Sequence, residues 1–143
     1  MAAKFAKILL PKKSAYFGCL LFASDMESKY TKVYDMAFGK VFPMLIAKAE
    51  RKQHTRSEVL QVTSWLTGYS EAQIISALES DISYGDFFRH APALNPLREK
   101  IKGSVCGVKL DSITEPLMLN IRRLDKLVDD LAKGKSIGKI LPE

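Results

Sequence analysis

From residue 38 onward, apolar side chains return every three or four positions, the period of helices that bury one face. Phe38, Val41, Phe42, Leu45, Ile46 and Ala49 make a first stripe. Pro43 lies inside it and must either kink the helix or mark the first turn of its main part. Val59, Val62, Trp65 and Leu66 make a second, with Ser57 as its N-cap and Gly68 as a left-handed terminator. Ser70 and Gln73 spell a capping box for a third helix with Ile74, Ile75, Leu78 and Ile82 on its inner face. Ser83–His90 reads as a short helix with Phe87 and Phe88 inward. Asn95-Pro96 is a strong start signal, followed by Leu97, Ile101 and Val105 on one face and Gly107 as terminator. Thr114 as cap, with Glu115 and Pro116 in the first turn, opens the longest helix. There Leu117, Ile121, Leu124, Val128 and Leu131 alternate by four and three, and Leu127 widens the stripe. Gly134 ends it, and Ile137, Ile140 and Leu141 form a tail that folds back. Val105–Leu110 is the one strand candidate, and it is weak. The pattern predicts an all-α protein, a compact bundle of about five to six short helices, with a helix-turn-helix-like corner at Thr67-Gly68-Tyr69.

Charge bears on that corner. A DNA-reading helix-turn-helix sends its second helix into the groove, yet Ser70–Asp81 holds Glu71, Glu79 and Asp81 and no Lys or Arg. Phosphate contacts need cations, so the corner is a packing device more than a reading head. Net charge is +6 overall, with an acidic stretch at 57–90 between basic flanks at 31–56 and 91–110. Such polarity fits self-complementary packing as well as a nucleic-acid partner. At 143 residues and 47% hydrophobic side chains, the chain can bury a full core without disulfides or metal. Two distant cysteines, Cys19 and Cys106, fit a reducing, cytoplasmic compartment. Two histidines without a cluster argue against a structural zinc site, and neither metal nor cofactor is expected.

Residues 1–25 do not share the helical pattern. Lys4, Lys7, Lys12 and Lys13 precede the apolar run Ala15–Ala23, the outline of a short targeting segment. That run is too short to span a bilayer. The favoured expectation is a start at Met26, with 1–25 an N-terminal extension and 26–143 a single helical domain that does not enter a membrane.

Candidate chemistry is sparse. Cys106 is expected to be buried and inert at a helix C-terminus, where the dipole opposes a thiolate. Asp86 and His90, four apart, read as a helix ion pair. Trp65 and Tyr69 flank the corner and either staple the two helices or line a pocket. The polar residues hardest to read as plain surface are Asn95, Arg98, Arg122, Asp125, Lys126, Lys133 and Lys135. They are read either as caps and solvated ion pairs or as an anion- or partner-binding face, set where the helix start at Asn95 meets the last helix.

Several phrases carry a resemblance: VFPMLIAKAERK (41–52), WLTGYS (65–70), DFF (86–88), APALNP (91–96), CGV (106–108) and EPLMLNIRRLDKLVDDLAKGKSIGKIL (115–141). Together they resemble a bacterial family of unknown function, the domain-of-unknown-function family numbered twenty-two hundred, over about 26–141. The resemblance implies a small bacterial cytosolic protein and supplies no reaction. Gln53 and His54 stand where that family usually has Gly and a basic residue, and Arg123 replaces a usual aromatic.

Three functional readings follow, in this order. The first is a non-enzymatic interaction module, expected to self-associate as a homo-oligomer through the last helix or the Trp65–Tyr69 corner. The second is a nucleic-acid-associated regulator using the basic flanks. The third is a small enzyme with a pocket near Trp65, Tyr69 and Cys106. Trp65, Tyr69, Asn95, Arg98, Arg122 and Lys126 are the binding candidates, and no residue is assigned a catalytic role.

Overall fold

The structure, a computed structural model, describes residues 30–143. Contacts divide the chain into two units, Met1–Lys32 and Val33–Glu143. The expected boundary at Met26 and the reading of 1–25 lie outside the described residues. In the second unit the helices are α1 (Phe38–Glu50), α2 (Arg56–Thr67), α3 (Glu71–Leu78), α4 (Tyr84–Arg89), α5 (Pro116–Ala132) and α6 (Ile137–Ile140). Two 3-10 turns, Pro96–Lys100 and Leu110–Ser112, and one hairpin, β1 (Ser104–Val105) with β2 (Val108–Lys109), fill the stretch before α5. The fold is all-α with a two-stranded ribbon attached.

Helix α5 is the centre. It packs against α1, α2, α4, β1 and α6. Its 17 residues bury Met118, Ile121, Leu124, Leu127, Val128 and Leu131, the predicted stripe with Met118 in place of Leu117. Opposite stands an aromatic cluster. Phe38 stacks on Phe87 at 3.9 Å and on Phe42 at 4.9 Å, Tyr84 meets Phe88 edge-on at 5.3 Å, and Tyr69 stacks on Phe87 at 4.5 Å. Backbone bonds from Phe38 N to the Ile82 carbonyl (3.0 Å) and from Tyr84 N to the Met36 carbonyl (2.6 Å) pin the start of α1 to the start of α4.

Capping decides the boundaries. The N-cap of α2 is Thr55, not Ser57: Thr55 Oγ1 accepts from Glu58 N at 3.2 Å, and Glu58 Oε1 accepts from Thr55 N at 2.8 Å. Only a residue three before a Glu or Gln closes such a box, and three after Ser57 comes Leu60. Ser70 and Gln73 form the predicted box on α3. Helix α5 begins at Pro116 with Glu115 as N-cap and no side-chain cap; proline presets the first helical position, which leaves Thr114 outside. Helix α1 runs unbroken through Pro43, which faces solvent and leaves the Gly39 carbonyl without its helical donor.

The helix expected after Asn95-Pro96 ends as a five-residue 3-10 turn. Gly103 at φ +103° redirects the chain, and Cys106 and Gly107, at φ +52° and +78°, make the two-residue turn that closes the hairpin. Positive φ at both positions is what a type I′ turn needs. The weak strand candidate Val105–Leu110 is right in kind for Val105 and Val108–Lys109 alone, with Leu110 already in the next 3-10 turn, and Gly107 is a hairpin tip instead of a helix terminator.

Candidate functional site

The corner at 67–69 is tied down by its own polar groups. Thr63 Oγ1 donates to the Val59 carbonyl (2.8 Å) and Thr67 Oγ1 to the Thr63 carbonyl (2.7 Å), so both buried hydroxyls are satisfied inside α2. The last carbonyls of a helix lack intrahelical donors, and here the loop after α4 supplies them: Ala93 N donates to Thr67 O (3.1 Å) and Asn95 N to Leu66 O (3.0 Å). The contact is close enough that a Cβ on Gly68 would lie 2.7–2.8 Å from Ala93 atoms. Tyr69 reaches away from the corner and donates its hydroxyl to the Phe87 carbonyl at 2.8 Å. It thus staples α4, not α2 to α3, and Trp65 is half-buried on the last turn of α2.

This loop carries Asn95 and Arg98 to the same end of the molecule. Asn95 Oδ1 accepts from Leu97 N (2.9 Å), and Arg98 Nη1 donates to the Asn95 carbonyl (3.0 Å). The free N–H groups of a helix start, expected to receive an anion, are reduced to this one short capped turn. The donors of the face are side chains.

On α5 most charges are paired. Arg122 meets Asp125 at 3.3 Å, Lys126 meets Asp130 at 2.9 Å, Asp129 is held by Lys48 and Lys133 at 3.0 Å each, and Lys135 approaches Asp130 at 3.5 Å. Burial works to raise the Asp129 pKa, but Lys133 and Lys48 hold it below the ordinary value. Asp125 goes the other way: burial raises its pKa against the pull of Arg122 and Lys48. Beside that pair the Tyr84 hydroxyl is fully buried without an acceptor, and burial followed by the Asp125 charge raises its pKa. Lys126 lies along the hairpin entrance, its Cε 3.1 Å from where a Gly103 Cβ would stand.

Arg123 is the exception. Among the described residues it pairs with no carboxylate; its Nη1 donates to the amide oxygen of Asn120 at 3.0 Å. Burial, then the charge of Arg98, lowers its pKa, with Glu99 opposing. Arg98 is likewise bonded only to a neutral oxygen. In both, Nε is shielded from water and has no acceptor, while the side chains as wholes are half-buried.

Of the residues singled out from sequence, Trp65, Tyr69, Asn95 and Arg98 thus gather around the junction of α2 with the 91–98 loop. Arg122 and Lys126 lie on α5 in ion pairs of their own. Sequence reasoning did not propose Arg123, although its departure from an aromatic marked it. Cys106 is exposed at the hairpin tip, not buried at a helix end. Asp86 pairs with Arg89 at 2.7 Å in place of His90, and His54 pairs with Glu58 at 3.3 Å. The apolar stripe of α5, one of the two surfaces expected to join copies, is buried in the chain's own core. Among the described residues no helix is long and apolar enough to cross a membrane.

A model of the family described as an uncharacterized protein conserved in bacteria, DUF2200, matches residues 32–142. A crystal structure of the uncharacterized protein SP1917 is similar to this chain with 53% identity and a TM-score of 0.75, covering 77% of this chain and 90% of that one. No curated protein matches.

Proposed function

We infer a binding role for this chain, which belongs to DUF2200, the family of uncharacterized proteins conserved in bacteria. In this reading it is a non-enzymatic interaction module. Its binding face is formed by the 91–98 loop, the adjoining end of α2 and the middle of α5. The observation that carries the reading is the pair Arg98 and Arg123, two half-buried guanidiniums that among the described residues have no carboxylate, each with an Nε–H lacking an acceptor. A guanidinium stays charged at any working pH, so such a pair suits holding a ligand and not acting as acid or base. Shielding an unpaired charged donor costs on the order of 1–3 kcal/mol, and two like charges in mutual range add to it. The fold uses one Nη1 of each, on the Asn95 carbonyl and on Asn120 Oδ1; the unmet Nε–H groups are what a partner with acceptors would satisfy.

The test is thermal unfolding of Arg98→Met and Arg123→Met, which keep the aliphatic stems in place. A binding pair predicts melting temperatures within about 4 °C of the parent chain, since each variant gives up only one Nη1 hydrogen bond. A fall of about 4 °C or more in both, corresponding to roughly 1 kcal/mol or more, would show that the arginines serve the fold and would remove the reading.

A further inference from the structure

A separate face of the molecule, to which neither Arg98 nor Arg123 belongs, is strongly basic. Along α1 and the turn that ends it, Lys40, Met44, Lys48 and Lys52 follow at intervals of four, with Arg51 three after Lys48. Side chains at those spacings are neighbours on a helix surface, so the five make one stripe. Phe38, Phe42, Ile46 and Ala49 take the inner side of the same helix. Lys40, Arg51 and Lys52 are exposed, and among the described residues none of the three pairs with a carboxylate. Glu50 is two residues from both Lys48 and Lys52, a spacing at which helix side chains do not face each other. Lys48 ties the stripe to the last turn of α5. Its Nζ and that of Lys133 lie 3.0 Å from the two oxygens of Asp129. One carboxylate thus serves two lysines, fixes them side by side, and leaves one positive charge over. Lys133 keeps 61% of its side-chain surface in water.

We propose that this face docks on the phosphate backbone of double-stranded nucleic acid. Charge complementarity selects the partner. Three unpaired cations, and the one left over at Asp129, put four net positive charges on the stripe and its border. From Lys40 to Lys52 the row is about 18 Å long at 1.5 Å per residue, the axial length of about five base pairs at 3.4 Å each. Lysine is a flexible point charge without the planar fork that reads a base edge, so the contact positions the duplex and does not read its sequence. Other partners ask for something this face lacks. The core of a protein–protein interface is depleted in lysine, whereas here cations run through the middle. Single strands are held by stacking on aromatic side chains, and among the described residues no aromatic ring is exposed. A helix lying in a membrane surface presents a continuous apolar face, and Met44 is the single large apolar side chain in this row.

The experiment titrates a short, fluorescently labelled DNA duplex with the full chain and reads anisotropy across a salt series. Saturable binding at low salt is expected, with log K falling against log salt at a slope of about −3.5 or steeper, the release of four or more counterions. A duplex of unrelated sequence should bind equally well. Lys40→Gln, Arg51→Gln and Lys52→Gln each remove one exposed cation that holds no carboxylate, and circular dichroism should be unchanged. Each should reduce the slope by about one, and the triple variant should bind about tenfold or more weaker at low salt. A triple variant that keeps the parent slope would overturn the face. So would the absence of duplex binding at low salt, or binding indifferent to salt. Polyglutamate or phosphatidylserine vesicles bound as tightly as the duplex would overturn the partner in favour of an acidic protein or a membrane, and a single strand bound more tightly would do the same in favour of stacking. Low-salt self-association that the triple variant abolishes and the duplex does not compete away would assign the face to a second copy instead.

Discussion

A side chain's neighbours decide whether its charge helps or harms the fold, and Asp125 and Asp129, one helical turn apart, fall on opposite sides. Asp129 sits between two lysines and gains from ionising. Asp125 is mostly buried, and Arg122 at 3.3 Å does not fully compensate. A carboxyl whose folded pKa lies above its unfolded value of about 3.9 binds its proton more tightly in the native state. Stability from this group is therefore highest in acid and is lost as pH rises from the unfolded pKa through the folded one. Asp125→Asn cannot ionise and escapes that loss. It should melt higher than the parent chain at pH 7 and show no advantage at about pH 3. Thermal melts across that range check it, and a lower melting point at pH 7 would show that the Arg122 pair outweighs desolvation.

Between elements, backbone proximity sets the tolerances. Gly39 on α1 lies so near the end of α3 that an added Cβ would stand 2.7 Å from the Leu78 carbonyl oxygen. Glycine inside a helix ordinarily costs about 1 kcal/mol against alanine, so the ordinary expectation for Gly39→Ala is a gain. Here the obstacle is backbone, which cannot swing aside. Gly39→Ala should instead lower stability by about 1–3 kcal/mol in urea denaturation, the range of other overpacking changes. The same scale shows what the sequence could convey. The helices were legible because capping boxes and apolar periods are local, as Ser70 with Gln73 and the α5 stripe demonstrate. The 95–110 stretch was misread because Leu97, Ile101 and Val105 have helical spacing, while the positive φ angles of Gly103, Cys106 and Gly107 override it. Cys-Gly is not the usual Asn-Gly signature of such a turn. The Arg98–Arg123 pair was illegible for another reason: its members are 25 positions apart, and neither reveals in sequence which cations will find carboxylates.

At the scale of the molecule, α5 joins the rest. Leu124 is fully buried in its middle. Leu124→Ala should cost about 2–5 kcal/mol, a large part of the roughly 5–15 kcal/mol that holds a domain together. Tryptophan fluorescence from Trp65 on α2 and far-ultraviolet circular dichroism should report one shared, lowered denaturation midpoint. Transitions that separate would mean that α5 is not the common support.

That arrangement has an outcome for synthesis on the ribosome. The chain is made in order, at about 5–20 residues per second, and the helix that covers α1, α2 and α4 is encoded after all of them. Until residues 116–132 clear the exit tunnel, the nascent protein holds α1, α2 and α4 without the helix they pack against. This interval of several seconds is when chaperone engagement matters, and premature termination before codon 116 would leave a sticky, foldless product.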